Sequence, residues 1–377
     1  MKQTVSFYAC DSYEDRAALK RAVLSVISDC GGFDALFDRG RRVVVKPNLV
    51  MKKSPEGAAT THPALMDVLL EILLEYTRDI RVVECPGGPG TPALVEAIYR
   101  TTGIREVCDR RGVEIVVSPE ARTVTVEGAK VASALSLAGE MVDADVFINL
   151  GKLKSHSLTT FTGCAKNLYG AIVGLTKVEY HARFAQLSDF ANLICDINRA
   201  LVPTLNLLDA VVGMEGNGPT GGTARKIGGI VGGNNAFAVD AIGARLIGLR
   251  EEEAPILSAA RALGLYTPVE ECLGDDYAPF VQSDFLFADA QRFSILREMP
   301  NLKFLRRFLE PRPVISSRCV GCGECVRLCP KSVIELRTVK GKKRAYIHKN
   351  KCIRCYCCQE LCPAKAVDTK SRKILKI

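Results

Sequence analysis

Short apolar runs alternate with amphipathic stretches along the first three hundred residues. The run RRVVVKPN (41–48) reads as a buried strand that stops at Pro47, and IRVVEC (80–85), GVEIVV (112–117) and ADVFINL (144–150) read the same way. LNLLDAVVGME (205–215) and IGGIVGG (227–233) add two more. Between them, HPALMDVLLEILLEYT (62–77) places apolar residues at i, i+3, i+4 and i+7, capped by a threonine and opened by Pro63, with an N-terminal capping role as the plain reading of His62. TPALVEAIYRTTG (91–103) carries Thr91 as cap, Pro92 at the first helical position and Gly103 as terminator. FAVDAIGARLIGL (237–249) is a further helix, and residues 250–311 read as largely helical. Strands separated by such helices predict an α/β fold: a mainly parallel sheet with helices on both faces.

The pattern changes near Pro311-Arg312-Pro313, which reads as a linker. It divides the chain into an α/β domain (1–311) and a small C-terminal α+β, ferredoxin-like two-cluster domain (312–377). Two runs dominate the second part. CVGCGECVRLCP (319–330) and CIRCYCCQELCP (352–363) each follow C-x2-C-x2-C-x3-C-P. Three thiolates at this spacing wrap one iron–sulfur cube, and the fourth is carried by the following turn to the other cube. Two 4Fe–4S clusters are therefore expected, one on Cys319, Cys322, Cys325 and Cys362, the other on Cys352, Cys355, Cys358 and Cys329. Zinc also uses C-x2-C pairs, but needs only four ligands and not two complete runs ending in Cys-Pro. Residues 312–377 resemble a bacterial-type two-cluster ferredoxin throughout. Cys357 alone lies outside the register and reads as a packed or cluster-adjacent thiol.

Composition narrows the class. The chain has 377 residues, 47% hydrophobic and 25% charged, as in ordinary globular proteins. No apolar run reaches the roughly 18 residues needed to span a bilayer, and the N-terminus lacks a signal peptide's apolar core. A cytoplasmic location and no membrane partner are expected. Eight of the 16 cysteines are scattered, as free buried thiols are in a reducing compartment, and the paired clusters suggest an oxygen-poor host. The net charge of +9 is concentrated at the end, where residues 312–377 hold 17 Lys/Arg against 4 Asp/Glu. These cations offset cluster charge and can steer an acidic carrier, so a ferredoxin or other redox protein is the expected partner. A nucleic-acid partner is not expected, and no helix-turn-helix signature is present.

In open α/β sheets ligands bind beyond the carboxyl ends of the strands. Polar residues gather there: Lys46 and Asn48, Glu84, then Lys152, Lys154 and His156, then Lys166 and Asn167, and finally Glu215 and Asn217 in GMEGNGPTGG. Lysines beside glycine-rich turns favour an anionic small molecule. Lys152, Lys154 and His156 occupy alternate positions, hence one face if the strand continues. They are the candidate catalytic groups, with His156 as proton donor. Cys164, next to Lys166, is a candidate nucleophile. Lys46, Asn48, Lys166, Asn167, Glu215 and Asn217 are the candidate ligand-binding set. His181 and His348 read as surface residues. CPGGPGTP (85–92) lacks both the P-loop and the dinucleotide pattern, and no flavin fingerprint is present, although flavin mononucleotide binds without one.

KPN, GKLKSH, GCAKN and DAVVGMEGNG together resemble the family catalogued as domain of unknown function 362, over roughly residues 40–300. The resemblance implies an iron–sulfur protein with a redox role. It supplies no substrate. Two functions compete: a ferredoxin-linked oxidoreductase acting on an anionic small molecule, and an electron-transfer module that docks on another redox protein.

Overall fold

The structure is a computed structural model that describes residues 2–38, 40–288, 311–339 and 341–370, with the side chain of Lys370 excepted. The strands in chain order are β1 (Val5–Ala9), β2 (Val43–Lys46), β3 (Ile80–Val83), β4 (Glu114–Val116), β5 (Ala121–Thr125), β6 (Ala134–Ala138), β7 (Val146–His156), β8 (Thr160–Thr162), β9 (Leu205–Glu215), β10 (Thr223–Gly233), β11 (Leu273–Gly274), β12 (Arg312–Ile315), β13 (Ile334–Val339), β14 (Lys342–Ile347) and β15 (Val367–Lys370). Nine of them form one sheet in the order β11-β1-β10-β9-β7-β2-β3-β4, with β8 folded back on β7. The centre, β9-β7-β2-β3-β4, is parallel, while β1, β10 and β9 pair antiparallel to one another.

The parallel strands are buried on both faces, as their unbroken apolar runs require. On β2, Val43 and Val45 enter one core and Val44 the other; on β9, Leu205 and Leu207 oppose Leu208 and Ala210. Helices cover each side. Pro63–Leu74 starts where Pro63 presets the first turn and the His62 ring nitrogen accepts from Ala64 N at 3.2 Å. Ala236–Leu246 starts where the Asn235 amide accepts from Phe237 N and Ala238 N.

Several expectations need amendment. β1, the helices Arg16–Asp29 and Leu187–Ala200, and the β5–β6 hairpin complete the domain without having been read from the pattern. Between residues 250 and 288 the only α-helix is Pro255–Ala262, flanked by two single 3-10 turns; 289–310 lie outside the described residues. Pro311-Arg312-Pro313 is no free linker, because Arg312–Ile315 pairs antiparallel with Val367–Lys370. That pair, the β13–β14 hairpin and two short helices, Glu324–Arg327 and Cys357–Glu360, enclose a small core of Val333, Ile334, Ala345, Ile347, Ala366 and Val367.

Candidate functional site at the seam of sheet and iron–sulfur unit

Strand register aligns the polar residues. Lys46 stands opposite Asn149, and Asn149 opposite Asn206, so one row crosses β2, β7 and β9 at their carboxyl ends. Burial here forces every polar group to find a partner. Lys46 Nζ pairs with the Glu84 carboxylate and also donates to Asn167 Oδ1 at 3.2 Å. Asn48 Nδ2 donates to the same oxygen at 2.8 Å, and Asn167 Nδ2 donates to Asn149 Oδ1 at 2.8 Å. Lys154 Nζ donates to Asn48 Oδ1 at 2.7 Å and to the Ala59 carbonyl at 2.6 Å. Gly170 is required above the pair, since a Cβ there would strike both Glu84 and Lys46.

This network floors a cleft with a cavity volume of about 100 Å³. The sheet side contributes Asn48, Glu84, Lys154 and Lys166, the helix Thr176–Arg183 contributes Lys177 and His181, and the iron–sulfur unit contributes Cys357, Glu360 and Leu361. Three lysine amines thus face two carboxylates in a largely desolvated space, with Lys46 in the floor beneath. Burial lowers the pKa of Lys166 and Lys177, and lowers Lys154 well below the ordinary lysine value, with Lys166 and Lys152 adding repulsion. Burial raises Glu84 despite the nearby Lys46 and Lys177. Among the described residues Lys166 Nζ has no hydrogen-bond or ion-pair partner, and Lys177 Nζ reaches only the Pro86 carbonyl at 3.4 Å. His181, 6% exposed, stacks on Phe190 with ring centres 4.7 Å apart, and its Nδ1 has no partner. Burial brings its pKa down to about 4. Unmatched donors and cations in an enclosed space are the chemistry of a site for an anion.

The candidate residues separate in space. The β7–β9 register slips between Lys152 and Lys154, so Lys152 faces Asp209 while Lys154 faces Met214. Lys152 is locked by Asp209 Oδ2 at 2.9 Å and the Tyr13 hydroxyl at 2.7 Å, away from the cleft lining. The two lysines keep the alternation of β7, opposite Leu153, but meet different partners, and only Lys154 lines the cleft. His156 is fully buried. Its Nδ1 accepts from Leu158 N at 3.0 Å, which leaves the proton on Nε2, 3.1 Å from Glu360 Oε1. It serves as a strut between β7 and the iron–sulfur unit, and the proton-donor expectation is corrected accordingly. Burial puts its pKa at about 4. Burial opposes ionisation of Glu360, but His156 and Lys166 outweigh it and hold the carboxyl well below the usual carboxylate range. Cys164 packs against Gly151, and burial and Asp240 push its thiol well up, so no reactive thiolate forms there.

The glycine-rich loop after β9 docks the iron–sulfur unit, and its Pro219 also lines the cleft. Gln359 Nε2 donates to Asn217 O, Asn217 Oδ1 and Gly218 O at 3.2, 3.1 and 3.2 Å, and Thr220 Oγ1 donates to Glu360 O at 2.8 Å. Glu215 accepts from Leu286 N at 3.2 Å. Gly218 lies against Ser155 so closely that no Cβ fits. Gly87, in the turn after β3, is likewise covered by Leu361. Lys177, His181 and Glu360 were missed from the sequence. The first two are four apart in TKVEYHAR and share a helix face, which was the available signal; His181 is buried, contrary to the surface reading.

The cysteines fall into two groups. Cys319, Cys322, Cys325 and Cys362 line one small cavity of about 20 Å³, and Cys329 lies near Cys352 and Cys358 together with Cys355. Backbone N–H groups point at the sulfurs: Ala345 N to Cys319, Val333 N to Cys329, Arg354 N to Cys352, each 3.4 Å, and Ala366 N to Cys362, 3.2 Å. Such donors stabilise thiolate held by iron. Among the described residues no three metal-ligating side chains converge on a single ion.

Comparison with known proteins agrees. The model for Domain of unknown function (DUF362) matches residues 43–245, more than half the chain. The chain belongs to this family. A 4Fe-4S dicluster domain matches residues 318–366, so this DUF362 member is an iron–sulfur protein. Thylakoid-associated protein sll1697 of Synechocystis sp. is 29% identical over 271 residues, 70% of this chain and 81% of that protein. The lactate racemase apoprotein of Thermoanaerobacterium thermosaccharolyticum aligns with a TM-score of 0.41 at 13% identity, over 64% of this chain and 56% of that one. Among the described residues no helix of this DUF362 chain is long and apolar enough to cross a membrane.

Proposed function

We propose that the chain is an iron–sulfur oxidoreductase that binds an organic anion in the cleft and reduces it with electrons from an external one-electron carrier. Two 4Fe–4S clusters, on the cysteine sets given above, would supply single electrons when bound. The observation that carries this reading is the unpartnered Lys166 ammonium and His181 imidazole, in a cleft whose other wall is the cysteine-bearing helix Cys357–Glu360. The Lys166 and Lys177 ammoniums hold the anion. Lys154, whose protonated form is disfavoured by burial, holds its proton at Nζ least firmly and is the proton source nearest the network. Leu49, Val50, Pro86 and Leu361 give the cleft an apolar side, which suits an organic body over a bare inorganic ion.

The test is anaerobic purification with analysis of bound small molecules, followed by thermal-shift titration with carboxylates and phosphate esters. An organic anion that stabilises the protein is expected, and Lys166→Met should weaken it about 10- to 100-fold, the worth of a charge-assisted hydrogen bond. Reduced protein should reoxidise faster when it is bound. If no anion binds in a Lys166-dependent way, the reading fails. One observation favours a second reading, a relay without chemistry in the cleft: Cys322 is exposed, open to a partner. That reading predicts reduction without any anion dependence.

A further inference from the structure

The iron–sulfur unit has two unlike sides. Cys357 is buried against the cleft, whereas Cys322 is the one exposed cysteine among the described residues. Around Cys322 the surface is apolar to an unusual degree. Val320 is 69% exposed, and Leu336, Val339 and Tyr346 on the β13–β14 hairpin are 40–48% exposed. Leu336 lies on the hairpin face of Ala345, and Val339 and Tyr346 lie on the other face with Arg337. The Leu336 side chain lies 3.7 Å from the Cβ position of Gly323, in the cysteine loop. Gly321, at φ +69°, sits on the Lys343 backbone, where a Cβ would come within 2.5 Å of the carbonyl oxygen. Ala345 N, two residues on, donates to Cys319 Sγ. The hairpin is therefore one wall of the Cys319–Cys322–Cys325–Cys362 cavity, and its cations are fixed beside it.

Two of those cations are unmatched, whereas Arg337 pairs with Glu335 and Arg344 donates to the Ser316 carbonyl at 3.0 Å. Lys342 and Lys343 are exposed, and among the described residues neither has an ion-pair partner. Arg337 and Arg344 stand directly opposite one another across the hairpin. Like charges in that position repel, which the Glu335 carboxylate offsets at Arg337, so the uncompensated charge of the hairpin sits on Lys342 and Lys343. Arg337 also lies over the Tyr346 ring, 3.5 Å from its centre, which joins charge to the apolar patch. An apolar centre with a basic rim around an exposed cluster ligand matches an acidic protein in both shape and sign.

We infer that this face is the electron-entry dock for an acidic one-electron carrier protein, seated by Arg337, Lys342, Lys343 and Arg344 with its redox centre over Val320 and Cys322. One electron leaves the carrier and enters the chain at the Cys322 side; no bond forms or breaks and no proton is required. The cleft lies at the other side of the unit, so entry and use of electrons are separated. The inference deepens the oxidoreductase reading by naming its carrier, but rests on different residues.

The experiment uses the full, iron-loaded chain with two probes, an acidic flavodoxin and an acidic ferredoxin. Binding is measured by titration, and the rate of cluster bleaching by stopped flow with each reduced probe, at ionic strengths of about 20 and 300 mM. Binding to wild type should weaken steeply with salt. Lys342→Glu with Lys343→Glu should raise Kd and lower the second-order rate at least about tenfold at low salt, and the difference should shrink at high salt. Reduction by methyl viologen radical cation should not slow. Lys342→Gln with Lys343→Gln, and Val320→Ser, are milder variants that should fall between, with iron content unchanged. Unaltered binding and rate in the charge-reversed variant, or no binding of either probe at low salt, would overturn the assignment. Neither result bears on anion binding at Lys166, so the two readings fail separately.

Discussion

Replacing Lys46 with methionine isolates the energetics of the cleft floor. The Lys46 side chain is fully buried and the Glu84 side chain 4% exposed, and they form an ion pair supported by Asn167. Methionine keeps most of the volume and removes the charge. The Glu84 carboxylate then keeps no direct cation, and Lys177, linked only to the Pro86 carbonyl, is the nearest compensation. Breaking one side of a buried pair costs about 3–5 kcal/mol, because the remaining charge is left desolvated. For a domain of this size that corresponds to a fall in Tm of roughly 6–10 °C. The double substitution Lys46→Met with Glu84→Gln removes both charges and should recover most of the loss. The assay is thermal and urea unfolding of the two single variants, the double variant and wild type, read as a double-mutant cycle. If Lys46→Met costs under about 1 kcal/mol, or the double variant is as unstable as the single, then the pair is not a desolvated ion pair and the account of the floor is wrong.

Stability should fall as pH drops from about 6.5 towards 4. His181, facing Lys166 and Glu360, titrates near 4 in the folded chain against 6.5 unfolded, so the unfolded state binds the extra proton in that window. The share is up to about 3 kcal/mol, and His181→Phe should flatten the slope of urea midpoint against pH; an unchanged slope would remove His181 from the account. Cys362→Ala should cut iron from about eight to about four atoms per chain, while Cys357→Ser keeps its full iron; iron loss in the latter would make Cys357 a ligand. Gln359→Ala removes three contacts to Asn217 and Gly218, so hydrogen exchange of the 216–222 amides should speed up by about 10-fold or more. Exchange at the wild-type rate would mean that the loop is held by something else.

The sequence by itself determined whatever depends on near neighbours in the chain. Cysteine spacing is local, and it sorted eight thiols into two sets that the fold brings together with Cys362 and Cys329 exchanged. Unbroken apolar runs marked β2, β3, β7 and β9 because strands buried on both faces have no polar alternation to hide them. Polar residues straight after those runs marked the sheet end where the cleft lies, and Lys46, Asn48 and Asn167 do meet there. Tertiary structure alone decided which lysine faces the cleft. Alternation puts Lys152 and Lys154 on one face, but a slip against β9, where Gly213 lies close to the Leu153 carbonyl, gives them different partners. It also decided that Asn217 and His156 hold the iron–sulfur unit in place. The groups that complete the cleft, His181 and Glu360, lie far along the chain from Lys46, and contacts across such separations are set by how helices and domains pack, which no local pattern encodes.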